Sequence, residues 1–134
     1  MSIVPDDLRY TDEHEWVRLA DEQPEGGPVV VRIGITDYAQ DSLGDIVFVQ
    51  LPPLGTAVGA GDELGVIEST KSVSDLFAPV GGSVVTRNDA VESSPELLNS
   101  DPYGDGWIVE LQIEDPAELD RLLDAAAYAA LLDQ

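Results

Sequence analysis

Short β-branched segments that end at glycine, proline or aspartate restrict the fold of this chain more than any other feature of its sequence. Residues 29–33 follow a turn signal at residues 26–28, and residues 45–51 stop at two prolines, which cannot donate hydrogen bonds to a neighbouring strand. Residues 107–113 alternate regularly between two faces, as a half-buried strand does. The same pattern predicts strands at residues 15–19, 63–67, 73–78 and 83–86. We therefore expect a mainly β protein.

Three helices are predicted from residues that favour helix ends. Thr36 is a suitable cap for a short helix that Gly44 ends. Ser94 precedes a proline and predicts a helical turn that runs through Leu98. Asp115 begins a helical tail whose apolar stripe we expect to pack on the sheet, with a partner-binding helix as the alternative. The stripe consists of Leu119, Leu122, Leu123, Ala126, Ala127, Ala130 and Leu131.

The charge of the chain argues against two classes of partner. Its Asp and Glu residues number 27 against 6 Lys and Arg, a net charge of -21. Such a surface repels phosphate backbones and anionic membranes, so we expect no nucleic-acid and no membrane partner, but proteins that present basic patches. No apolar run approaches the ~18 residues of a membrane span, and the start of the chain has no signal-peptide pattern. We expect a soluble, cytoplasmic monomer.

Enzymatic and metal chemistry have little support in the sequence. The absence of cysteine removes thiolate ligands and thiol nucleophiles. His14 is the only histidine, and a pair with a serine or threonine nucleophile is formally possible. However, the chain has no G-x-S-x-G, H-E-x-x-H, EF-hand or phosphate-loop motif. We therefore expect no metal and no catalytic residue, with a hydrolase that uses His14 as the minor alternative.

Lys71 is the only lysine of the chain, whereas the other five basic residues are arginines. It lies in the small, polar stretch of residues 68–72, between two predicted strands, which suits a tight connection. Lys and Arg serve solubility almost equally, but only Lys offers a primary amine that can form a stable amide. The sequence thus predicts either a modification site or an ordinary exposed turn lysine.

The residues around Lys71 resemble the lipoyl-attachment segment of the glycine cleavage system H proteins. The similarity continues in order from about residue 8 to about residue 132. The segments that carry it read YT and HEWV at residues 10–17, GITDYAQ at 34–40, LGDIVFV at 43–49, ESTKS at 68–72, PELLN at 95–99 and PYGDGW at 102–107.

The resemblance implies a barrel-sandwich hybrid fold, in which two antiparallel sheets carry short peripheral helices and a C-terminal helical tail. It further implies a single lipoyl-carrier domain that covers residues 1–134. Within it, residues 45–92 form the hairpin core, while the N-terminal strands at 8–36 and the C-terminal strand and helices at 107–132 are additions.

The resemblance also implies that lipoate is linked to Lys71 through an amide. Members of this family are carriers and cosubstrates, not enzymes. Their partners are glycine decarboxylase, aminomethyltransferase and dihydrolipoyl dehydrogenase, together with a lipoate ligase or a lipoyl or octanoyl transferase. Between these partners the arm carries an aminomethyl group and then a reduced dithiol, which explains how a chain without cysteine would take part in redox chemistry.

In the family the loaded arm folds back near two acidic residues, which correspond to Glu15 and Asp75 here. Their carboxylates would pair with the protonated amine of the arm. Thr70, Ser72 and Tyr38 depart from the commonest residues of the family, but Thr70 and Ser72 remain small. An unmodified acidic protein-binding module, and a relay that donates lipoyl groups to other enzymes, remain as alternative functions.

Overall fold

The computed structural model describes residues 4–20, 28–113 and 115–132. This part of the chain forms nine strands, four α-helices and one 3-10 helix. In chain order they are β1 (Arg9–Tyr10), β2 (Glu15–Leu19), β3 (Val30–Ile35), α1 (Asp37–Leu43), β4 (Ile46–Gln50), β5 (Ala57–Val58), β6 (Glu63–Ser69), β7 (Val73–Phe77), β8 (Gly82–Arg87), α2 (Asp89–Ser93), α3 (Leu97–Ser100), β9 (Val109–Ile113), the 3-10 helix (Pro116–Arg121) and α4 (Ala125–Leu132).

The strands form two antiparallel sheets. One has six strands in the order β1-β2-β3-β9-β8-β5, and the other has three in the order β4-β6-β7. All seven predicted strands are present, and β1 and β5 are two-residue strands that are too short to carry a sequence pattern. The two sheets with their peripheral helices agree with the predicted barrel-sandwich hybrid.

The main hydrophobic core takes side chains from both sheets. Ile33 of β3 and Leu111 of β9 are fully buried in it, together with Ile67 of β6 and Leu76 of β7. Burial of each such aliphatic side chain contributes about 1.5–3 kcal/mol to folding. The core thereby fixes the three-stranded sheet, which carries Lys71, against the six-stranded one.

A second cluster of buried aromatic residues joins the C-terminal helix to the first strands. The rings of Tyr10 and Tyr128 stack with their centroids 4.6 Å apart. Trp16 is also buried, and its Nε1–H donates a hydrogen bond to the carbonyl of Pro102 at 2.9 Å. A Cβ on Gly34 would lie 2.6 Å from ring atoms of Trp16, so the indole occupies the space that only glycine leaves free.

The first predicted helix has the expected caps. The Thr36 hydroxyl accepts a hydrogen bond from the Ala39 amide at 3.2 Å, which satisfies a free N–H at the start of α1. Gly44 follows the helix with a φ of 82°, a left-handed conformation that favours glycine. The prediction for α1 is therefore confirmed at both ends.

The second helix prediction is confirmed for the turn, since the amides of Leu97 and Leu98 donate to the carbonyls of Ser94 and Pro95, but it was wrong in its cap. Ser94 ends α2, and its amide donates a hydrogen bond to the Ala90 carbonyl. The following helix, α3, begins only at Leu97. The helix α2 was not predicted, although Asn88 caps it by accepting a hydrogen bond from the Ala90 amide.

The predicted stripe of the C-terminal tail was also wrong in part. Leu123 exchanges two backbone hydrogen bonds of 2.8 Å with Tyr10, and this bridge separates the 3-10 helix from α4. The Asp124 carboxylate then caps α4 by accepting a hydrogen bond from the Ala127 amide. The helical periodicity of α4 therefore does not continue that of the 3-10 helix. Tyr128 consequently faces the interior of the protein. The predicted stripe members Ala126, Ala127 and Ala130 are exposed, while Leu119, Leu122, Leu123 and Leu131 are partly buried.

The turn predicted at residues 26–28 lies mostly outside the described part of the chain, since residues 21–27 are not described. Among the helices that the structure describes, none combines the length and the apolar character that crossing a membrane requires.

Candidate modification site at the tip of a hairpin

Lys71 lies at the tip of the hairpin formed by β6 and β7, as the sequence predicts. The Ser69 amide donates to the Ser72 carbonyl at 2.8 Å and closes the turn. The buried Ser69 hydroxyl accepts hydrogen bonds from the amides of Lys71 and Ser72, at 3.3 and 3.1 Å, and donates to the Ser72 carbonyl at 3.2 Å. A serine that bonds the backbone two and three residues ahead stabilises a tight turn. The side chain of Lys71 is left exposed.

The base of the turn rests on the loop between α1 and β4. The Thr70 amide donates a hydrogen bond to the Asp45 carbonyl at 3.1 Å. The aliphatic stem of Lys71 crosses Gly44, where a Cβ would lie 3.1 Å from the lysine Cε. Within the part of the chain that the structure describes, no carboxylate forms an ion pair with Lys71. The amine is therefore accessible above a backbone that is fixed on two sides.

Asn99 holds this supporting loop in place. Its Oδ1 accepts from the Ile46 amide at 2.9 Å, and its Nδ2 donates to the Gly44 carbonyl at 2.9 Å and to Gln40 Oε1 at 3.0 Å. Asn99 thus bonds residues on both sides of Asp45, whose carbonyl contacts the hairpin. This role of Asn99 is not predictable from the sequence, because its partners lie more than 50 residues away in the chain and no local pattern connects them.

Glu15 is the second predicted site residue, and the structure buries its carboxylate. Its exposed fraction is 2%. One oxygen accepts a hydrogen bond from the Phe77 amide at 2.7 Å, and the other accepts from the Thr11 hydroxyl at 3.2 Å. Glu15 also lies in the wall of a cavity of about 460 Å³, which Pro79 and Arg121 help to line.

Burial raises the pKa of the Glu15 carboxyl to about 7, although its two hydrogen bonds act in the opposite direction. The neighbouring charges of Glu13 and Asp12 raise it slightly further. A buried carboxylate with such a pKa can change its protonation near neutral pH. Perturbed groups of this kind in a cavity are candidates for a functional site.

We expect the Glu15 carboxyl to make stability depend on pH. Its folded pKa of about 7 lies above its ordinary value of 4.5. Its contribution to the free energy of unfolding is therefore full below about pH 4, where the carboxyl is protonated in both states. This contribution is lost as the pH rises to about 7, because the carboxyl of the unfolded chain ionises first. In urea unfolding, the stability of the wild-type protein relative to Glu15→Gln should fall by about 2 kcal/mol between about pH 5 and about pH 8. Glu92→Gln makes the same chemical change at an exposed side chain of α2 and is the control. Parallel wild-type and Glu15→Gln profiles would contradict this prediction.

The Nδ1 of His14 faces a buried hydroxyl of the C-terminal helix. Its Nδ1 lies 2.8 Å from the Tyr128 hydroxyl, which lies 2.8 Å from the buried Thr36 hydroxyl. Burial lowers the pKa of His14, while the charges of Glu13 and Asp12 act in the opposite direction. The backbone of His14 has a φ of 67°, and this left-handed residue ends the turn from which the side chain of Glu15 enters the interior.

Asp75, the third predicted site residue, lies on the exposed face of β7. Its carboxyl shares a hydrogen bond with Glu63, and this contact is the main reason why the pKa of Glu63 is raised. Asp75 is two residues from Phe77, whose amide binds Glu15, so β7 connects all three predicted residues. Asp75 itself does not line the cavity that contains Glu15. Among the described residues, no group of three or more potential ligands is arranged to hold a metal ion.

The fold and the site together define a class: a barrel-sandwich hybrid domain that presents a single lysine at the tip of a fixed hairpin. A family model described as Glycine cleavage H-protein matches residues 8–134. The glycine cleavage system H protein of Symbiobacterium thermophilum is 55% identical over 130 residues, which cover 97% of this chain and 96% of that protein. The corresponding protein of Enterobacter sp. is 53% identical over 133 residues, which cover 99% and 98%.

A solved structure gives the same result. The crystal structure of a glycine cleavage system H protein from Mycobacterium marinum superimposes with a TM-score of 0.82 at 42% sequence identity, and it covers 98% of this chain and 100% of that one. The chain belongs to the glycine cleavage H-protein family. The resemblance and the fold class inferred from the sequence motifs are thereby confirmed.

Proposed function

We propose that this chain is the lipoyl carrier of a glycine cleavage system and that Lys71 is its attachment site. The observation that carries this proposal is the position of Lys71, the only lysine of the chain, exposed on a turn whose backbone is fixed by Ser69. Family membership supports it independently. The chain acts as a carrier and cosubstrate rather than as an enzyme.

Lys71 enters the modification as a nucleophile. Its neutral amine attacks the carbonyl carbon of an activated lipoyl group, the activating group leaves with the bonding electron pair, and the nitrogen loses a proton to give the amide. The modifying enzyme, a lipoate ligase or a lipoyl or octanoyl transferase, must accept the protons. The side chain of Lys71 already projects from the fold, so no rearrangement of the protein is needed for this step.

Lipoate linked to Lys71 would supply a disulfide that can carry an aminomethyl group, and then a pair of thiols, between glycine decarboxylase, aminomethyltransferase and dihydrolipoyl dehydrogenase. The hairpin holds the origin of this arm in one place while its end moves between partners. The lack of cysteine fits a reducing compartment, and the relatives named above are bacterial. We place the protein in the cytoplasm.

Glu15 and Asp75 are the residues that we assign to the loaded arm. The arm would extend from the hairpin tip along β7, past Asp75, toward the cavity where the Glu15 carboxylate lies beside the Phe77 amide. A protonated amine in that cavity favours the ionised form of Glu15, because opposite charges attract strongly where water is excluded. This pairing would hold the adduct in the cavity, and the cavity would protect it from water.

The attachment proposal is tested by the intact mass of the protein purified from its natural host. We expect one lipoyl-sized increment, and peptide mapping should assign it to Lys71. Protein expressed in a host that cannot make or import lipoate is the control and should lack the increment. An unmodified mass in lipoate-replete cells, or an increment on another residue, would overturn the proposal.

The role of the cavity is tested by the lifetime of the aminomethyl-loaded protein. We expect Glu15→Gln and Asp75→Asn each to shorten the half-life of the aminomethyl mass increment several-fold, because the ammonium loses a charged partner. Glu92→Gln makes the same chemical change at an exposed side chain that does not line this cavity, and it should keep the wild-type half-life. Wild-type lifetimes in both of the first two variants would exclude this role for Glu15 and Asp75.

A further inference from the structure

An exposed apolar surface lies beside the hairpin that carries Lys71. Among the described residues, seven large apolar side chains are exposed, and three of them belong to the sheet β4-β6-β7. These three are Val47 (54% exposed), Phe48 (46%) and Val73 (64%). We call them the hairpin apolar face. Single exposed apolar residues are common, but a group of them on one surface indicates an interaction site.

A β-bulge in β4 creates this surface. Ile46 pairs with Ser69 and Phe48 pairs with Glu68, so Val47 is an extra residue in the ladder. Ile46 and Val49 are both buried, and the two residues between them both face solvent. In a strand with regular alternation, one of the two would face the core. Bulges redirect side chains in this way and are frequent next to functional sites.

The register of the sheet places Phe48 and Val73 in one row across the hairpin, on either side of Glu68. Phe48 of β4 is opposite Glu68 of β6, and Glu68 is opposite Val73 of β7. Because neighbouring strands are about 4.8 Å apart, Phe48 and Val73 stand about 10 Å from one another on the same face. Lys71 is two residues from Val73, so this row lies beside the turn that carries the lysine.

The charge around this surface is negative. The strands β4, β6 and β7 contain no arginine or lysine. The partly buried Glu68 stands between Phe48 and Val73, and the exposed carboxylate of Asp75 is two residues from Val73. A partner that fits this surface therefore presents apolar recesses with a basic rim that reaches Glu68.

We propose that the hairpin apolar face is the docking surface for the enzyme that acylates Lys71. This inference rests on the proposed attachment site and adds the surface by which the modifying enzyme recognises it. An acylating enzyme must place its active site over the amine of Lys71, and the apolar row is the surface that continues from that position. Burial of Phe48 and Val73 would anchor the complex, since aromatic and apolar side chains at the centre of an interface contribute most of the binding energy.

The test measures acylation of the unmodified protein by a purified lipoate–protein ligase with ATP and lipoic acid. We expect Phe48→Ser and Val73→Ser each to raise KM for the protein at least tenfold, while kcat at saturating protein stays within about twofold. Leu19→Ser and Val85→Ser remove comparably exposed apolar side chains from the six-stranded sheet and should keep the wild-type KM. Val73 is the more exposed of the two tested side chains, so its variant remains informative if Phe48→Ser does not fold.

The dependence of KM on ionic strength distinguishes the charged contacts of the proposed surface from its apolar contacts. Added salt should raise KM of the wild-type protein, because it screens the basic rim of the enzyme from the carboxylates. The ratio of KM between Val73→Ser and the wild type should stay constant, because an apolar contact is not screened. A ratio that falls to one at high salt would overturn the role of the apolar row.

Three other results would also overturn the inference. They are a wild-type KM in both hairpin variants, an equal rise in KM in the Leu19→Ser and Val85→Ser controls, and a wild-type dimer in analytical ultracentrifugation that Phe48→Ser converts to a monomer. The last result would assign the surface to a second copy of the chain. If the wild-type protein itself were not acylated at Lys71, the proposed function would fail; if it were acylated and the variants equally so, only the docking surface would fail.

Discussion

A Lys71→Arg variant is expected to carry no lipoyl group and to accept no aminomethyl group from glycine. Arginine keeps the positive charge, but its guanidinium does not lose its proton in proteins and forms no stable amide. The chain has no other lysine that could replace it. Co-expression with a lipoate ligase, followed by intact mass measurement, gives the result directly. The expected difference is a complete loss, the largest functional effect of any single substitution considered.

The control for this experiment is Ser72→Ala. Ser72 neighbours Lys71, and its backbone amide and carbonyl, rather than its side chain, make the hydrogen bonds of the turn. This variant should be modified like the wild type. Because Lys71 is exposed and has no ion pair among the described residues, Lys71→Arg should also keep the wild-type stability within about 0.5 kcal/mol. A lipoyl increment that persisted in Lys71→Arg would refute the assignment.

The largest effect on stability is expected for Tyr128→Ala. Tyr128 is fully buried, stacks on Tyr10 and bonds the side chains of His14 and Thr36 through its hydroxyl. Removal of a buried aromatic ring costs about 3–5 kcal/mol, because the lost contacts leave a cavity. Urea unfolding followed by fluorescence should show a correspondingly lower midpoint with an unchanged slope.

Tyr128→Phe separates the ring from the hydroxyl. This variant keeps the stacked ring but leaves the polar groups of His14 and Thr36 without their shared partner, for a loss of about 1–3 kcal/mol. A loss in Tyr128→Ala no larger than that in Tyr128→Phe would show that the ring does not join α4 to the first strands.

The sequence predicted those parts of the fold that depend on local patterns. β-branched runs between turn residues gave seven strands, and Thr36 with Gly44 gave α1 with both ends. The prediction for the C-terminal tail was wrong in part, because the side chains that face the core there depend on a bridge between Leu123 and Tyr10, which are more than 100 residues apart. Periodicity within one segment contains no information about such a contact.

The same distinction applies to the site. The unusual use of lysine identified Lys71, and the resemblance to a known family identified Glu15 and Asp75 as candidates. The hydrogen bonds by which Asn99 holds the supporting loop, and the bulge at Val47, were not predicted. Both depend on a partner strand or loop that only the folded chain brings near. The raised pKa of Glu15 likewise results from its burial, which the surrounding acidic residues of its segment give no reason to expect.

The hydrogen bonds that close the turn at Ser69 also affect the protein before it is modified. The turn is complete without any contribution from the Nζ of Lys71, so the newly synthesised chain should fold as well as the acylated one and have the same melting temperature. Unmodified molecules would then escape the degradation that removes unfolded chains, and they would persist as a reserve. The supply of lipoate, rather than protein turnover, would set the fraction that is active.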